Sequence, residues 1–331
     1  MMLSTPFSFF FVAGMLVGIW ITIYSSSWVG VWMGLEMNLM CFIPFLVKGK
    51  TGGMACIFYF LAQATGSLLL LISGLDIWSY DLTLKLYMSV GLLLKAGVAP
   101  FHFWYPVVAS QIKWSEFVVL STLQKIAPLS LLYHCDLFML GQFMYLTIIM
   151  SGVVGALGGL NELKVRGVLI YSSINHMGWV MMPLINHSMS WAVYFSMYCM
   201  MLTSVVVLVY FYSIYNLTQL YSPETPFWHG FVFGVGLFSL GGVPPFLGFF
   251  VKCWLLYLVG PFMDPFALMV LIFMSSITLF YYITLGIPHL IFVWENPLIQ
   301  QRFIDLMVVS FVLFTSILGL WIMPAFVIWF M

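Results

Sequence analysis

The chain has 331 residues, of which 63% are hydrophobic and 6% charged, with ten basic and ten acidic side chains and a formal net charge of zero. A soluble domain carries about 25% charged residues, so this chain belongs in a bilayer, and no hydrophilic stretch is long enough to form a separate soluble domain. Neutrality offers no basic field for nucleic acid or an anionic surface.

A spanning helix needs about 20 apolar residues, and the hydrophobic segments of that kind number about eleven. In chain order they run from Phe7 to Tyr24, Trp28 to Leu46, Met54 to Ser73, Leu84 to Pro106, Glu116 to Tyr133 and Phe138 to Leu160. They continue from Val165 to Leu184, Trp191 to Tyr215, Phe231 to Val259, Phe266 to Ile287 and Asp305 to Phe330. The fold class expected is an all-α polytopic membrane protein. The opening stretch, MMLSTPFSFFFVAG, has neither the Arg-rich amphipathic pattern of a transit peptide nor the basic start of a signal peptide. No cleaved targeting segment is expected there.

Loop charges set an orientation. Loops after even-numbered segments hold Lys48, Lys50, Lys113, Lys164, Arg166 and Arg302, whereas those after odd-numbered segments hold Asp76, Asp81, Asp136 and Asp264, with Lys85 near them. Short basic loops stay inside, so the even loops and the N-terminus are expected on the cytoplasmic or matrix side.

Two segments carry a proline near their middle. The fourth reads LLLKAGVAPFHFW, with Lys95 and Pro100; the ninth reads LGGVPPFLGFFVKCW, with Pro244, Pro245 and Lys252. Proline removes a donor and clashes with the carbonyl four residues back. Both helices should unwind, near Gly97–Pro100 and Gly241–Pro245, and the carbonyls released must find polar partners inside the bundle. The two segments lie five apart, so they cross in opposite directions. That pattern suggests inverted five-helix repeats with two Pro-broken helices at the site. The chain would be a single transmembrane domain, with halves at roughly 1–134 and 138–290, then a C-terminal helix over 305–330.

Four ionisable residues lie inside segments: Glu36, Lys95, Lys125 and Lys252. A charge at bilayer depth costs ~2.5–3.5 kcal/mol on insertion scales. Any one of them can be a structural ion pair or snorkel to the interface, as Lys252, nearer its helix end, is placed to do. Together, one acid and three amines suit a relay, because burial and a nearby opposite charge push an amine's proton affinity in opposing directions. His102, in PFHFW, and His176, in YSSINHMGW beside Ser172, Ser173 and Asn175, are candidate links, each weighed against a satisfied core histidine. Glu116 opens the fifth segment, where a carboxylate favours the helix N-terminus. The five cysteines, Cys41, Cys56, Cys135, Cys199 and Cys253, show no CxxC or CxxxC spacing, so no metal, haem, flavin or iron–sulfur centre is expected on this chain.

The stretches WMGLEMNLMCFIPFL, LLLKAGVAPFHFWYP, LQKIAPLSLL, GGLNELKVRGVLIYSSINHMGW and SLGGVPPFLGFFVKCW, in this order, resemble the antiporter-like, proton-translocating membrane subunits of mitochondrial NADH–ubiquinone oxidoreductase (respiratory complex I). The likeness covers nearly the whole chain and is to the shortened animal form, without the three extra N-terminal helices of bacterial relatives. It implies a helix glutamate at Glu36, a lysine on a broken helix at Lys95, a central lysine at Lys125 and a second broken-helix lysine at Lys252. His102, Arg166 and His176 fall on recurring positions. Val107 stands where the family often has a glutamate, and Leu123 where a tryptophan commonly precedes the Gln-Lys pair.

The resemblance implies a multi-pass protein of the mitochondrial inner membrane, its N-terminus on the matrix side, in contact with other membrane-arm subunits and inner-membrane lipids. It would bind no cofactor itself, while the complex uses NADH, FMN, iron–sulfur clusters and ubiquinone. A stand-alone secondary cation/proton antiporter is the alternative, and a purely structural scaffold a third. Glu36 is expected to face Lys95 at direct or water-bridged distance and to work with it as a switch, the proton then moving toward Lys125 and Lys252.

Overall fold

The computed structural model describes residues 6–47, 52–74, 82–135, 140–212, 227–291 and 310–316. Lys48, Lys50, Asp76, Asp81, Asp136, Arg302 and most of the expected final segment lie outside them. Helices account for nearly all of what is described: α1 (Pro6–Tyr24), α2 (Trp28–Val47), α3 (Gly52–Gly74), α4 (Leu82–Ala96), α5 (Trp104–Gln111), α6 (Trp114–Ser121) and α7 (Leu123–His134). Then come α8 (Gly141–Leu160), α9 (Val165–Ile185), α10 (Ser190–Tyr212), α11 (Phe227–Gly241), α12 (Leu247–Val259), a 3-10 turn over Gly260–Phe262, and α13 (Pro265–Ile291). Residues 310–316 are helical. In hydrocarbon every backbone N–H and C=O must be satisfied within its own segment, which is why long apolar runs become helices.

Six of the described helices are long and apolar enough to cross a membrane, among them α2, α9 and α10. Of the other passes read from the sequence, the first is the single helix α1, and the fourth, fifth and ninth are broken into shorter pieces. The fourth is α4 followed by α5, and the ninth α11 followed by α12. Pro106 does not end the fourth, as expected; it sits in the first turn of α5, where its missing N–H costs nothing. The expected fifth segment is divided at Thr122 into α6 and α7. There the Ser121 hydroxyl donates to the Phe117 carbonyl (2.8 Å) and the Thr122 hydroxyl to that of Val118 (2.6 Å). Such back-bonding to the preceding turn bends helices.

The chain divides into two compact units, Met1–Ser151 and Gly152–Met331. In the first, α1 packs on α2, α3 on α2, α4 and α5, and α7 on α1, α4 and α6. The approach of α1 and α2 is close because two glycines face each other. A β-carbon at Gly34 would lie 2.8 Å from the Gly18 carbonyl oxygen, and one at Gly18 2.9 Å from that of Gly34. Small residues at such crossings let backbones meet where hydrophobic burial gives no preference for protein over lipid. Gly34→Leu is therefore expected to destabilise this unit by ~1–3 kcal/mol through overpacking. Gly53, which has nothing within 4 Å of an added β-carbon, should accept leucine with no change in melting temperature. Equal melting of the two variants would contradict the packing argument.

In the second unit α9 is the central helix, buried along nearly its whole length, with α10, α12 and α13 against it. Phe266, Met269, Phe273 and Phe280 of α13 point outward, as do Phe9, Phe10 and Trp20 of α1 in the first unit. Exposed apolar rows of this size suit a lipid solvent.

Candidate functional site

Both helix breaks are built from the same backbone pieces. At the first, Gly97 adopts φ +69°, the Gly97 N–H bonds to the Leu94 carbonyl (3.1 Å), and the Val98 N–H reaches back five residues to Leu93 (3.1 Å). At the second, Gly242 adopts φ +85° and the Val243 N–H reaches back five residues to Phe238 (3.1 Å). The five-residue bond over a left-handed glycine marks the Schellman ending; at the second break the Gly242 N–H shares the Phe238 carbonyl (3.0 Å), four residues back, where Gly97 bonds three residues back. A tight turn follows in each, closed by Phe101 N–H to the Val98 carbonyl (2.9 Å) and by Phe246 N–H to that of Val243 (2.8 Å). The Ala99–Pro100 and Pro244–Pro245 bonds within these turns are both cis.

The carbonyls released at the breaks are satisfied by polar side chains. In the first unit the Trp104 indole N–H donates to the Leu94 carbonyl (2.9 Å) and the Gln63 amide to that of Lys95 (3.2 Å). In the second, the Lys252 Nζ donates to the Gly241 carbonyl (3.1 Å). Lys252 thus turns back onto the break and does not snorkel outward. It is buried, and its amine lies 5.7 Å from the ring centre of Trp179 on α9.

The remaining site residues of the first unit gather around α4, α5 and α7. Lys95 closes α4, buried at 4% exposure. Lys125 lies in the first turn of α7, buried at 2% exposure, its Nζ 4.6 Å above the centre of the Tyr105 ring. That contact is a cation–π arrangement, which steadies a positive amine that water does not reach. Glu36 stands halfway along α2 and is half-buried. Of the direct or water-bridged approach expected between Glu36 and Lys95, the structure shows no ion pair of 4.0 Å or less. His102 is buried in the link between α4 and α5, its ring tilted against Phe103 at 4.5 Å. Glu116 accepts the Lys113 backbone N–H (2.9 Å) and so caps α6. It thereby serves the start of that helix.

A chain of neutral groups links these elements. The Tyr59 hydroxyl donates to Gln124 Oε1 (3.1 Å), while Gln124 Nε2 donates to Asn38 Oδ1 (3.1 Å) and to Met15 Sδ (3.3 Å). Gln124 precedes Lys125, and Asn38 lies two residues beyond Glu36. This chain ties the glutamate's helix directly to the central lysine's helix, and α3 joins them through Tyr59. Sequence reasoning passed over Asn38, Tyr59, Gln63 and Gln124. The signal for the three amides was present: each interrupts an apolar run, and polar groups at bilayer depth seldom lack a task. Tyr59 and Tyr105 gave no such signal, being indistinguishable from ordinary packing aromatics.

In the second unit His176 is buried on α9, with Nδ1 2.9 Å from the Tyr194 hydroxyl and its ring 4.8 Å from that of Tyr198. Tyr194 and Tyr198 are one turn apart on α10 and frame the imidazole from one side. Ser172 and Ser173 donate back to the Leu169 (2.9 Å) and Ile170 (2.7 Å) carbonyls, and Asn175 donates to Thr278 on α13 (3.4 Å). Arg166 is half-buried in the first turn of α9. Among the described residues no group of three or more His, Cys, Asp or Glu is gathered as a metal ion would require, and none of the five cysteines is in a disulfide.

Broken helices with buried amines beside them define a class of membrane transporter module. The profile of the NADH:quinone oxidoreductase/Mrp antiporter transmembrane family matches residues 74–278. The chain is 37% identical to NADH-ubiquinone oxidoreductase chain 2 of Anopheles gambiae over 293 residues, covering 83% of this chain and 84% of that one. It is 33% identical to chain 2 of Locusta migratoria over 304 residues, covering 88% and 87%. In fold it is similar to a chain of respiratory complex I from Thermus thermophilus, with a TM-score of 0.77 at 22% identity over 94% of this chain and 77% of that one. A chain of the Mrp complex from Dietzia gives a TM-score of 0.72 at 16% identity over 88% and 60%. The protein is thus an antiporter-like membrane subunit. It belongs to the NADH-ubiquinone oxidoreductase chain 2 family.

Proposed function

We propose that this chain is a proton-translocating subunit in the membrane arm of an NADH:ubiquinone oxidoreductase, in the mitochondrial inner membrane. The observation that carries this reading is a buried lysine amine beside each of two matched helix breaks, at Lys95 and Lys252. A break supplies polar backbone at membrane depth, and an amine there can take up and release a proton. Glu36, Lys95 and Lys125 form the relay in the first unit, and Lys252 with His176 that of the second. His102 sits at the first break, in reach of the same link. The matched breaks support two related five-helix halves of opposite topology.

Electron transfer through NADH, FMN, iron–sulfur clusters and ubiquinone belongs to partner chains, since ligand spacings for such centres are missing from this sequence. The partners are the other membrane-arm subunits and the surrounding lipid. The deciding experiment is proton translocation per NADH in inner-membrane vesicles carrying Lys95→Met. A large fall with the complex assembled supports the reading, and an unchanged ratio sinks it. Exchange of sodium or potassium for protons by the isolated chain would instead favour a stand-alone antiporter.

The orientation follows from loop charge. Labels at Lys48, Lys50 and Lys164 are expected to react from the matrix side, and labels at Asp76, Asp136 and Asp264 from the intermembrane space. Reaction of both sets from one side would contradict it.

A further inference from the structure

We propose that Gln63 and Gly66 of α3 are positioning residues for Lys95, holding the first helix break in place without drawing on its amine. The inference rests on the proposed role of Lys95 in proton transfer. Gln63 is buried at 7% exposure, and its amide meets the Lys95 carbonyl at 3.2 Å. In an unbroken helix that carbonyl would receive the N–H of Ala99, but the turn into Pro100 takes this donor away. Gly66 follows three residues later, on the same face of α3. A β-carbon there would lie 3.0 Å from Cγ of Lys95 and 3.1 Å from the Gly91 carbonyl oxygen. Gly91 returns the contact, since its own β-carbon would lie 2.9 Å from the Gly66 carbonyl oxygen. So α3 touches Lys95 at two points: a hydrogen bond fixes its backbone, and a missing side chain leaves the path for its stem.

The second break makes the same demand and meets it differently. There the Gly241 carbonyl takes its hydrogen bond from Lys252 Nζ at 3.1 Å. The titratable group is itself part of the break. In the first unit neutral donors, Gln63 and Trp104, do that work. The Lys95 amine is therefore not one of the break's donors, while α3 meets the backbone and the stem of Lys95.

The test uses vesicles with the assembled complex carrying Gln63→Leu, Gly66→Ala, Lys95→Met and the two doubles with Lys95→Met. Assembly, NADH:quinone rate and protons moved per NADH are measured. Each α3 variant is expected to lower protons per NADH by about two-fold or more, the scale of coupling between contacting residues, with assembly and NADH oxidation near normal. Each double should be no worse than Lys95→Met alone. A merely structural role would lower assembly and NADH oxidation together and leave the ratio unchanged. Normal ratios in both α3 variants beside a deficient Lys95→Met would overturn this inference alone, as would additive losses in the doubles. Failure of Gln63→Leu to assemble where Lys95→Met does would overturn it too, by placing Gln63 in fold construction. A normal ratio in Lys95→Met would remove the underlying reading and this inference with it.

Discussion

Replacing Glu36 by glutamine is expected to remove most of the proton translocation per NADH while leaving assembly largely intact. The side chain keeps its shape and hydrogen-bonding capacity, so packing around α2 should survive. What is lost is the carboxylate that the proposed relay sets beside the Lys95 amine. A carboxylate at this depth stabilises a protonated amine nearby, and its withdrawal or neutralisation lets the proton leave. The bond from Gln124 to Asn38 ties α2 to α7 beside these residues and helps α2 keep its place in the variant. Lys95→Met should lose pumping to a similar degree. The double variant should cost less than the sum, because both changes disable one coupled unit. Strictly additive losses, or full pumping by Glu36→Gln, would show that the two residues do not act together.

Lys252→Met is expected to lose pumping and also to loosen the second helix break. Methionine fills similar volume but donates nothing, so the buried Gly241 carbonyl loses its side-chain donor, at ~1–3 kcal/mol. The defect should appear as a lower melting temperature of the complex together with a lower proton-to-NADH ratio. Gly242→Ala separates the two effects. An alanine β-carbon would sit 3.3 Å from Lys252 Nζ, at a backbone φ of +85°. L-residues meet a penalty of roughly 1–2 kcal/mol in that region. The amine remains but is pushed from its carbonyl. Pumping in Gly242→Ala is expected between wild type and Lys252→Met. Wild-type pumping in both variants would mean that the contact between lysine and break is idle.

The sequence by itself determined the solvent, the helix breaks and the titratable groups. Each rests on a property that no tertiary context reverses. A chain with so few charges has nowhere to fold but lipid, a proline cannot continue the ladder, and a lysine inside an apolar run keeps its amine wherever the run is packed. Pro100 and Pro244–Pro245 accordingly end α4 and α11 within a few residues of where local sequence alone puts the interruptions. Local signals were less faithful where a side chain chose between its own helix and a neighbour. The division at Thr122 arises from hydroxyls bonding back onto the preceding turn, an option open to every Ser and Thr in the chain and taken with this consequence at one site.

Tertiary structure alone decided who meets whom. Lys252 has a stem long enough to reach the interface or the break, and packing on α12 sends it to the break. Glu36 and Lys95 are carried by α2 and α4, two helices that both pack against α3. Tyr59, Tyr105 and Tyr194 look in sequence like any buried aromatics. They join the site because their polar ends or ring faces fall beside Gln124, Lys125 and His176. Period and composition fix which face of a helix is polar; which partner that face finds depends on helix crossings, and these are set by close backbone approaches such as Gly18 to Gly34 and Gly66 to Gly91.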